Sequence, residues 1–286
     1  MKHAILIMGH SNPDGIEYIV KRLQDNDVDF YIHWDISSKI NLERTLDRDI
    51  LKKVTVIPSG KVYWGGSTQI SAQLKLFKAA RSKKKYGYYH LISDMDIPAM
   101  DVHYFKQFFN KYKGTEYIGF SNKDDSRFGW DSRVKYYFPF ENYEMNRNIK
   151  KILEHSSIVV QKIFQVNRLK NTDLLIKKGP SWFSITDKVV EYILNKKSYI
   201  EEIFGTSSKA DEIYMQTLIS QDKYLKSRLS KGSEHGAALR YIDWERGNPY
   251  MFKDVDVKEI KAIFNTEYAF LRKINIKTES VIKREL

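Results

Sequence analysis

The sequence contains no cysteine, no long apolar run and a shortage of acidic residues. Without cysteine the chain has no disulfide, no thiolate nucleophile and no Cys-ligated zinc, which fits a reducing compartment. No run reaches the about eighteen apolar residues that a membrane-spanning helix needs, and no small-residue cleavage site follows the N-terminal AILIM. We therefore expect a cytoplasmic protein.

The shortage of acidic side chains gives a formal net charge of +12, from 48 Lys and Arg against 36 Asp and Glu. Such a charge favours polyanionic partners, namely nucleotide diphosphates, anionic lipid surfaces or nucleic acid. The basic residues are spread along the chain, with clusters no longer than RSKKK at 81–85, and no RRM, KH or zinc-finger pattern occurs. A nucleic-acid partner is therefore not expected.

Strand and helix patterns alternate through the first half of the sequence. Apolar runs in HAILIMGH, DFYIHWD, VTVIPS and YYHLISD predict strands, and NPDGIEYIVKRLQ, TQISAQLKLFKAA and DVHYFKQFFNKY have helical apolar spacing. This alternation predicts an α/β fold with a mostly parallel central sheet and helices on both faces. Ligands of such sheets bind at the carboxyl ends of the strands. The residues at these ends are Gly9, His10, His33, Asp35, Pro58, Ser59, Asp94 and Asp96.

The pattern is looser after about residue 125. RVKYYFPF alternates like a half-buried strand, a helical tract runs from about Asn146 to Val166, and GPSWFSIT predicts a turn into another strand. VVEYIL and ADEIYMQTLIS predict further helices. No repeat, low-complexity tract or linker divides the chain, so we expect one domain over residues 1–286 with a variable insertion between about 120 and 175.

Eight segments in a fixed order carry a family resemblance. They are ILIMGHSNPDGIEYIVKRLQ, FYIHWD, VYWGGSTQISAQLKLFKAA, YYHLISDMDIP, GPSWFSIT, ADEIYMQTL, LRYIDWERGNPY and FLRKI. With these segments the sequence resembles the core-2/I-branching glycosyltransferases, a family that also contains peptide xylosyltransferases and bacterial capsule or exopolysaccharide enzymes. The resemblance covers nearly the whole chain outside residues 120–175.

The resemblance implies a GT-A-like, Rossmann-type sandwich and inverting transfer from a UDP-sugar without a divalent metal. It implies a nucleotide-binding half at 1–125 and, at 126–286, a half that binds the acceptor and carries the catalytic base. The chain lacks the stem and membrane anchor of the Golgi members, so we expect a bacterial version of the catalytic domain.

The candidate catalytic base is Glu212, because the family's base is the glutamate of a Pro-Asp-Glu segment that here reads Ala210-Asp211-Glu212. In an inverting transfer the acceptor hydroxyl loses its proton as it attacks the anomeric carbon, so one carboxylate suffices. Backbone donors at a helix start would also hold this carboxylate ionised. The alternative is that Asp211 and Glu212 only cap the helix that follows. Ser181 stands where some relatives carry an acidic residue, which leaves Glu212 as the only strong candidate.

The leaving UDP needs positive charge beside its diphosphate. The resemblance assigns this role to the lysine of FLRKI, Lys273, and we add its neighbour Arg272; Lys253 is a looser candidate. A solvated basic segment is the alternative in a chain this basic. The nucleoside should lie across the first strands, where Asp35 matches the family aspartate near the uridine.

The turn Trp64-Gly65-Gly66 completes the predicted donor site. Its glycines would let the ligand approach the backbone closely, and the helix that begins at Ser67 or Thr68 favours an anion at its amino end. Seen alone, an aromatic residue beside two glycines is more often a packing corner.

Asp94-Met95-Asp96 leaves the metal requirement open. Read alone it is the Asp-x-Asp pattern through which many GT-A enzymes hold manganese. The family commonly has glycine at the Asp94 position, so this chain departs from the pattern; the alternative is that Asp96 caps the turn before the next helix. No cofactor is expected, and Mn²⁺ or Mg²⁺ on Asp94 and Asp96 remains the alternative.

The acceptor side is assigned on chemistry alone, because sugars bind to aromatic faces and polar side chains. The candidates are Arg127, Arg133, Trp182 and Trp244, with Trp130 nearby. The donor sugar stays open among GlcNAc, xylose and galactose types. We expect the acceptor to be a lipid-carried oligosaccharide at the inner membrane face, in bacterial surface polysaccharide synthesis. The alternative is a non-catalytic nucleotide- or sugar-binding protein on the same scaffold.

Overall fold

A computed structural model of the chain describes residues 1–121, 129–277 and 280–285. Its eight strands are β1 His3–Gly9, β2 Val28–Trp34, β3 Val54–Val56, β4 Tyr88–Ser93, β5 Asp96–Pro98, β6 Phe183–Ile185, β7 Arg240–Ile242 and β8 Phe270–Arg272. Five of them form the central sheet, in the order β3-β2-β1-β4-β6, where all neighbours are parallel except the antiparallel pair β4–β6. The predicted mostly parallel sheet is confirmed.

Thirteen α-helices and two short 3₁₀ helices account for the remaining regular structure of the described residues. The α-helices are α1 Pro13–Leu23, α2 Leu42–Thr45, α3 Arg48–Leu51, α4 Thr68–Lys83, α5 Val102–Lys111, α6 Ser132–Lys135, α7 Arg147–Ile163, α8 Asp187–Asn195, α9 Lys197–Phe204, α10 Tyr214–Gln221, α11 Lys223–Ser227, α12 Val257–Ile263 and α13 Val281–Glu285. The 3₁₀ helices are Ala210–Glu212 and Asp254–Asp256. Within these described ranges, no helix is both long enough and apolar enough to cross a membrane.

Alternation along β1 divides the core between the two faces of the sheet. Ile5 and Ile7 pack with side chains of α1, α3 and α5, whereas Ala4 and Leu6 pack with side chains of α4, α8 and α10. Because successive strand residues point to opposite faces, a strand buried on both sides reads as one apolar run. The prediction of helices on both faces is therefore confirmed.

A second, three-stranded sheet has the order β5-β8-β7. The antiparallel pairing of β5 with β8 sets Asp96 opposite Arg272, residues that lie far apart in sequence. The buried Arg240 of β7 joins the two sheets, since its Nη2 donates to the carbonyl oxygens of Leu91 in β4 (3.0 Å) and Phe183 in β6 (2.7 Å). Burial lowers the Arg240 pKa to about 9.

The strand predicted in RVKYYFPF is wrong. This segment begins in α6 and continues without a strand, because side chains from elsewhere take its backbone hydrogen bonds. Gln161 of α7 both accepts from the Tyr137 amide and donates to its carbonyl, each at 2.8 Å, and Arg168 donates to the Val134 carbonyl at 3.0 Å. The alternation of RVKYYFPF therefore reflects a segment laid against α7.

Candidate donor site

A cavity of about 320 Å³ lies at the carboxyl ends of β1, β2 and β4. Its lining residues are Met8, Gly9, His10, His33, Asp35, Val62, Trp64, Gln69, Ser93, Asp94, Met95, Trp182, Arg272 and Lys273. This is the edge at which parallel sheets bind ligands. The cavity joins most predicted donor residues, and it adds Trp182, which the sequence assigned to the acceptor.

Asp94 holds the loop between β1 and α1. Its Oδ2 accepts hydrogen bonds from the amides of His10 (3.0 Å), Ser11 (2.8 Å) and Asn12 (2.9 Å). The Asn12 side chain caps α1 by accepting from the Gly15 amide, and it donates to the Asp94 carbonyl at 3.0 Å. The carboxylate thus does for this loop what a bound anion does at a helix N-terminus.

Asp96 is buried and ion-paired with Arg272. The Arg272 Nη1 lies 2.9 Å from Oδ1 and 3.1 Å from Oδ2 of Asp96, and it also donates to Ser93 Oγ at 2.7 Å. Ser93 donates to Asp96 Oδ2 from its amide (2.5 Å) and its hydroxyl (2.9 Å). The guanidinium carbon lies 4.5 Å from the centre of the Trp182 ring, a cation–π distance. Arg272 is therefore fixed between a carboxylate and an aromatic face.

These contacts bear on the metal alternative. Of the four carboxylate oxygens of Asp94 and Asp96, three are bonded to backbone amides, Ser93 or Arg272. A divalent ion there would have to displace Arg272 or the loop amides, and hard cations recruit several free oxygen ligands. Among the described residues, no group of three or more His, Asp or Glu side chains could hold a metal. The residues present do not fit a divalent ion.

Lys273 lines the same cavity, and no described residue forms an ion pair with it. Its carbonyl accepts from the Phe252 amide at 2.9 Å, which fixes the chain at this point. Because Asp96 is ion-paired with Arg272 and no described residue is ion-paired with Lys273, the Lys273 ammonium is the cation of this wall that a ligand anion can pair with directly.

Asp35 and His33 organise the opposite wall. Asp35 Oδ1 accepts from the amide and the hydroxyl of Ser37, both at 2.7 Å, and Oδ2 accepts from the Val62 amide at 3.1 Å. His33 Nε2 accepts from the Gly60 amide at 3.2 Å, so the proton of the neutral ring is on Nδ1. Burial lowers the His33 pKa, which keeps the ring neutral. Asp35 therefore joins two loops at the cavity wall.

The Trp64 turn differs in part from the prediction. Gly65 has φ of +81°, which only glycine adopts without strain, and its carbonyl accepts from the Lys209 amide at 2.7 Å. A Cβ on Gly66 would lie 2.3 Å from Asn142 Oδ1, so a protein side chain occupies the space expected for ligand. Neither glycine lines the cavity. Trp64 does line it, 77% exposed, with Lys209 Nζ 5.2 Å from the ring centre.

Glu212 ends the 3₁₀ turn beside the cavity but is not among the lining residues. Its Oε2 is 3.0 Å from Arg133 Nη1, so a guanidinium holds this carboxylate where the sequence predicted backbone donors. The neighbouring Asp211 is buried and accepts from Ser181 Oγ at 2.5 Å, next to Trp182 of the cavity. Burial and the Glu212 charge raise the Asp211 pKa to about 6. A partly exposed carboxylate thus lies beside a buried one.

Comparison with known families decides what kind of protein carries this site. The family model described as Branch, Core-2/I-Branching enzyme, matches residues 4–264. The chain belongs to this family. It is therefore a glycosyltransferase whose family implies a nucleotide-sugar donor and a glycan acceptor.

No curated protein sequence matches this branching-family chain. Among solved structures it is similar to the apo form of mouse xyloside xylosyltransferase 1, with 9% identity, coverage of 97% of this chain and 99% of that chain, and a TM-score of 0.37. At that TM-score the likeness carries no argument about fold or substrate.

Three further predicted site residues of this family member lie away from the cavity. Lys253 contributes to a separate cavity of about 430 Å³ with Met251 to Asp254, and Pro58 is exposed outside the lining of the first cavity. Trp244 is 49% exposed and its Nε1 donates to His235 Nε2 at 2.8 Å, with the two rings stacked. Arg127 lies outside the described residues. Lys253 therefore does not join Arg272 and Lys273 in one cluster.

Lys209 contributes to the site without a clear sequence signal, and Arg133 contributes in a role other than the predicted one. Lys209 is an ordinary surface-type residue until the fold sets it against Trp64 and Gly65. Arg133 was predicted on the acceptor side, and it is ion-paired with Glu212 because α6 and the 3₁₀ turn meet. The sequence around Lys209 does not distinguish it from the other 47 Lys and Arg of the chain.

Proposed function

We propose that this chain is an inverting glycosyltransferase that moves a sugar from a UDP-sugar to a hydroxyl of an oligosaccharide. The observation that carries the proposal is that two cations, Arg272 and Lys273, line the same cavity at the strand ends. Family membership supplies the reaction class, and the cavity supplies cations, an aromatic face and backbone turns suited to a nucleoside diphosphate.

The two cations would bind the diphosphate in different ways. Arg272 is held by Asp96 and Trp182, so it can offer its remaining N–H groups in a fixed direction without reorganising. Lys273 has no ion pair among the described residues and would add a positive charge beside the leaving UDP. We propose that this arrangement replaces a divalent metal.

Glu212 would act as the base in a single displacement. The acceptor oxygen attacks the anomeric carbon, the bond from that carbon to the UDP oxygen breaks, and the hydroxyl proton passes to the carboxylate. Arg133 donates to Oε2 of Glu212, and no other described residue bonds this carboxylate. Oε1 is therefore available to accept the proton. Arg133 would thus position the base, and Trp182 and Trp244 remain candidates for contacts with sugar rings.

We further propose a donor of the UDP-GlcNAc, UDP-xylose or UDP-galactose type and a role in bacterial surface polysaccharide synthesis. A lipid-carried acceptor and peripheral contact with the inner membrane face agree with the +12 charge. We place the whole reaction in one domain, with the donor bound by residues 1–125 and by β8.

Calorimetric titration with UDP, in excess EDTA and again with Mn²⁺, tests the donor site. We expect equal affinity in both buffers and a loss of about tenfold or more in Lys273→Met, since a phosphate-bound cation contributes more than 1 kcal/mol. Lys277→Met is a matched control at the end of the same segment. Binding only with Mn²⁺ would contradict the cation-based site, and no binding in either buffer would overturn the UDP-sugar proposal.

Glu212→Gln tests the base. The variant should lose turnover by about a hundredfold or more, as expected for a general base, and keep its UDP affinity. Glu202→Gln, on the exposed part of α9, is the control and should retain both. Turnover unchanged in Glu212→Gln would remove the residue from the mechanism. A protein that binds UDP and turns over no UDP-sugar would be the non-catalytic alternative.

A further inference from the structure

Helix α7 is attached to the rest of the protein by its polar side. Lys150 pairs with Glu141 at 2.7 Å, Glu154 accepts from the Phe140 amide at 3.1 Å, and Gln161 exchanges two hydrogen bonds with Tyr137. Not one residue of this 17-residue helix is buried. The polar side chains that normally face water are therefore used to hold the helix in place.

The apolar side of α7 faces solvent. Seven of the ten exposed Ile, Leu, Val and Phe side chains of the described residues lie on it or directly after it. The most exposed of the seven are Ile152 (65%), Ile163 (72%) and Phe164 (76%). The others are Ile149, Leu153, Val159 and Val160. Spacings of three, four and seven place all seven on one stripe, with Ser156 as its polar member.

Such a stripe is unusual on a protein surface that water alone covers. Isolated apolar residues on a surface need no explanation, but a contiguous exposed patch marks a contact with a protein or a membrane. The inverted orientation of α7 also excludes a simple packing account, because the polar side already makes the contacts with the protein.

The charge of α7 indicates which partner covers the stripe. The helix carries Arg147, Lys150, Lys151 and Lys162 against the single acidic residue Glu154. On a helical wheel Lys151 and Lys162 flank one edge of the apolar stripe. Two copies meeting through this stripe would bring like charges together, in a chain whose net charge is already +12. An anionic bilayer attracts the same charges, and it accepts a convex helix without a matching groove.

We propose that α7 lies in the headgroup region of an anionic membrane, with Ile152, Ile163 and Phe164 inserted among the acyl chains and the flanking lysines at the lipid phosphates. A helix with one apolar face and basic flanks is the ordinary form of such an interfacial anchor. The inference deepens the membrane contact proposed above by assigning it to a surface, and its test uses no sugar substrate.

Flotation with phosphatidylcholine vesicles that contain a minor fraction of phosphatidylglycerol, at low salt, tests the assignment. The full chain should float with these vesicles and remain unbound with phosphatidylcholine alone. Ile152→Ser and Ile163→Ser should each weaken binding about tenfold, since each removes an apolar side chain from the bilayer. Val255→Ser, which removes an 84% exposed apolar residue far from α7 in sequence, is the matched control and should bind normally. Lys151→Glu should weaken binding, and the binding that remains should fall less steeply with salt, because one cation no longer contributes to the electrostatic attraction.

Two results would overturn the proposal. The first is wild-type protein that ignores the anionic vesicles, or α7 variants that float as well as wild type. The second is a concentration-dependent dimer in sedimentation that Ile163→Ser abolishes in the absence of lipid, because α7 would then be an interface between copies. Neither result touches the UDP titration or Glu212→Gln, so failure here is distinguishable from failure of the proposed function.

Discussion

Replacing Asp211 by asparagine should stabilise the protein, and by more at pH 8 than at pH 5. Asp211 is 5% exposed, and its only side-chain donor among the described residues is Ser181 at 2.5 Å. Burial first, and then the adjacent Glu212 charge, raise its pKa from 3.8 to about 6. Ionised Asp211 therefore costs the folded state free energy that asparagine does not.

The magnitude follows from the size of the shift. About two pKa units correspond to about 3 kcal/mol between the two protonation states. Because the folded pKa is raised, the stabilisation of the neutral acid is complete below the unfolded pKa of 3.8 and is lost as pH rises through 6. Roughly half of the loss has occurred by pH 5, so about 1.5 kcal/mol remains to be lost between pH 5 and pH 8.

Urea unfolding of wild type and Asp211→Asn at both pH values measures this quantity. Other titrating groups are common to the two proteins, so the pH dependence of their difference reports Asp211 together with its coupling to Glu212. Asparagine keeps an oxygen for the Ser181 hydroxyl, which limits the cost of the change itself. Asp49→Asn, whose side chain is 79% exposed, is the control and should show no such difference. A stability difference between wild type and Asp211→Asn that is the same at pH 5 and pH 8 would refute the reasoning.

Three further predictions concern stability. Arg240→Met should lower the free energy of unfolding by about 3 kcal/mol or more, because it removes the guanidinium that donates to the carbonyls of Leu91 and Phe183 in the central sheet and of Ala238; a urea midpoint near wild type would contradict this. His3 is buried and its pKa is lowered, chiefly by burial, to about 4, so wild type should lose up to about 3 kcal/mol as pH falls from 6.5 to 4. His3→Phe should lose less, and an unchanged acid profile by urea unfolding would refute the assignment. Gly66→Ala should destabilise by about 1 kcal/mol or more, since its Cβ meets Asn142 Oδ1, and the cost should shrink in the Asn142→Gly background of a double-mutant cycle.

The part of the fold that the sequence predicts is the part set by local pattern. β1 and β4 are apolar runs because both of their faces are covered, and α1 begins at Pro13 because the side chain of the capping residue Asn12 accepts from the Gly15 amide. These signals are contained within about ten residues. The helical tract near 146–166 was predicted for the same reason. Its apolar spacing predicts a helix but does not indicate which side of the helix faces the protein.

The parts that could not be predicted depend on contacts between distant segments. Asp94 and Asp96 look alike in sequence, yet one holds a loop of backbone amides and the other an arginine. The difference arises from the pairing of β5 with β8, which no local pattern specifies. The strand predicted in RVKYYFPF was wrong for the same reason, because the side chains of Gln161 and Arg168 form hydrogen bonds with backbone groups that a neighbouring strand would otherwise have paired.

The second sheet links the stability of this chain to its proposed donor chemistry. β8 carries Arg272 and leads directly into Lys273, while the buried Arg240 of β7 fastens the same sheet to β4 and β6. Strand pairing and a desolvated arginine therefore set the positions of the cations relative to the strand ends. A guanidinium that is already fixed does not have to reorient when the leaving group departs. The preorganised site therefore avoids the reorganisation free energy that mobile charges in water would cost. Asp94 contributes to the same wall, since its carboxylate accepts hydrogen bonds from the amides of His10, Ser11 and Asn12 and so fixes the loop between β1 and α1.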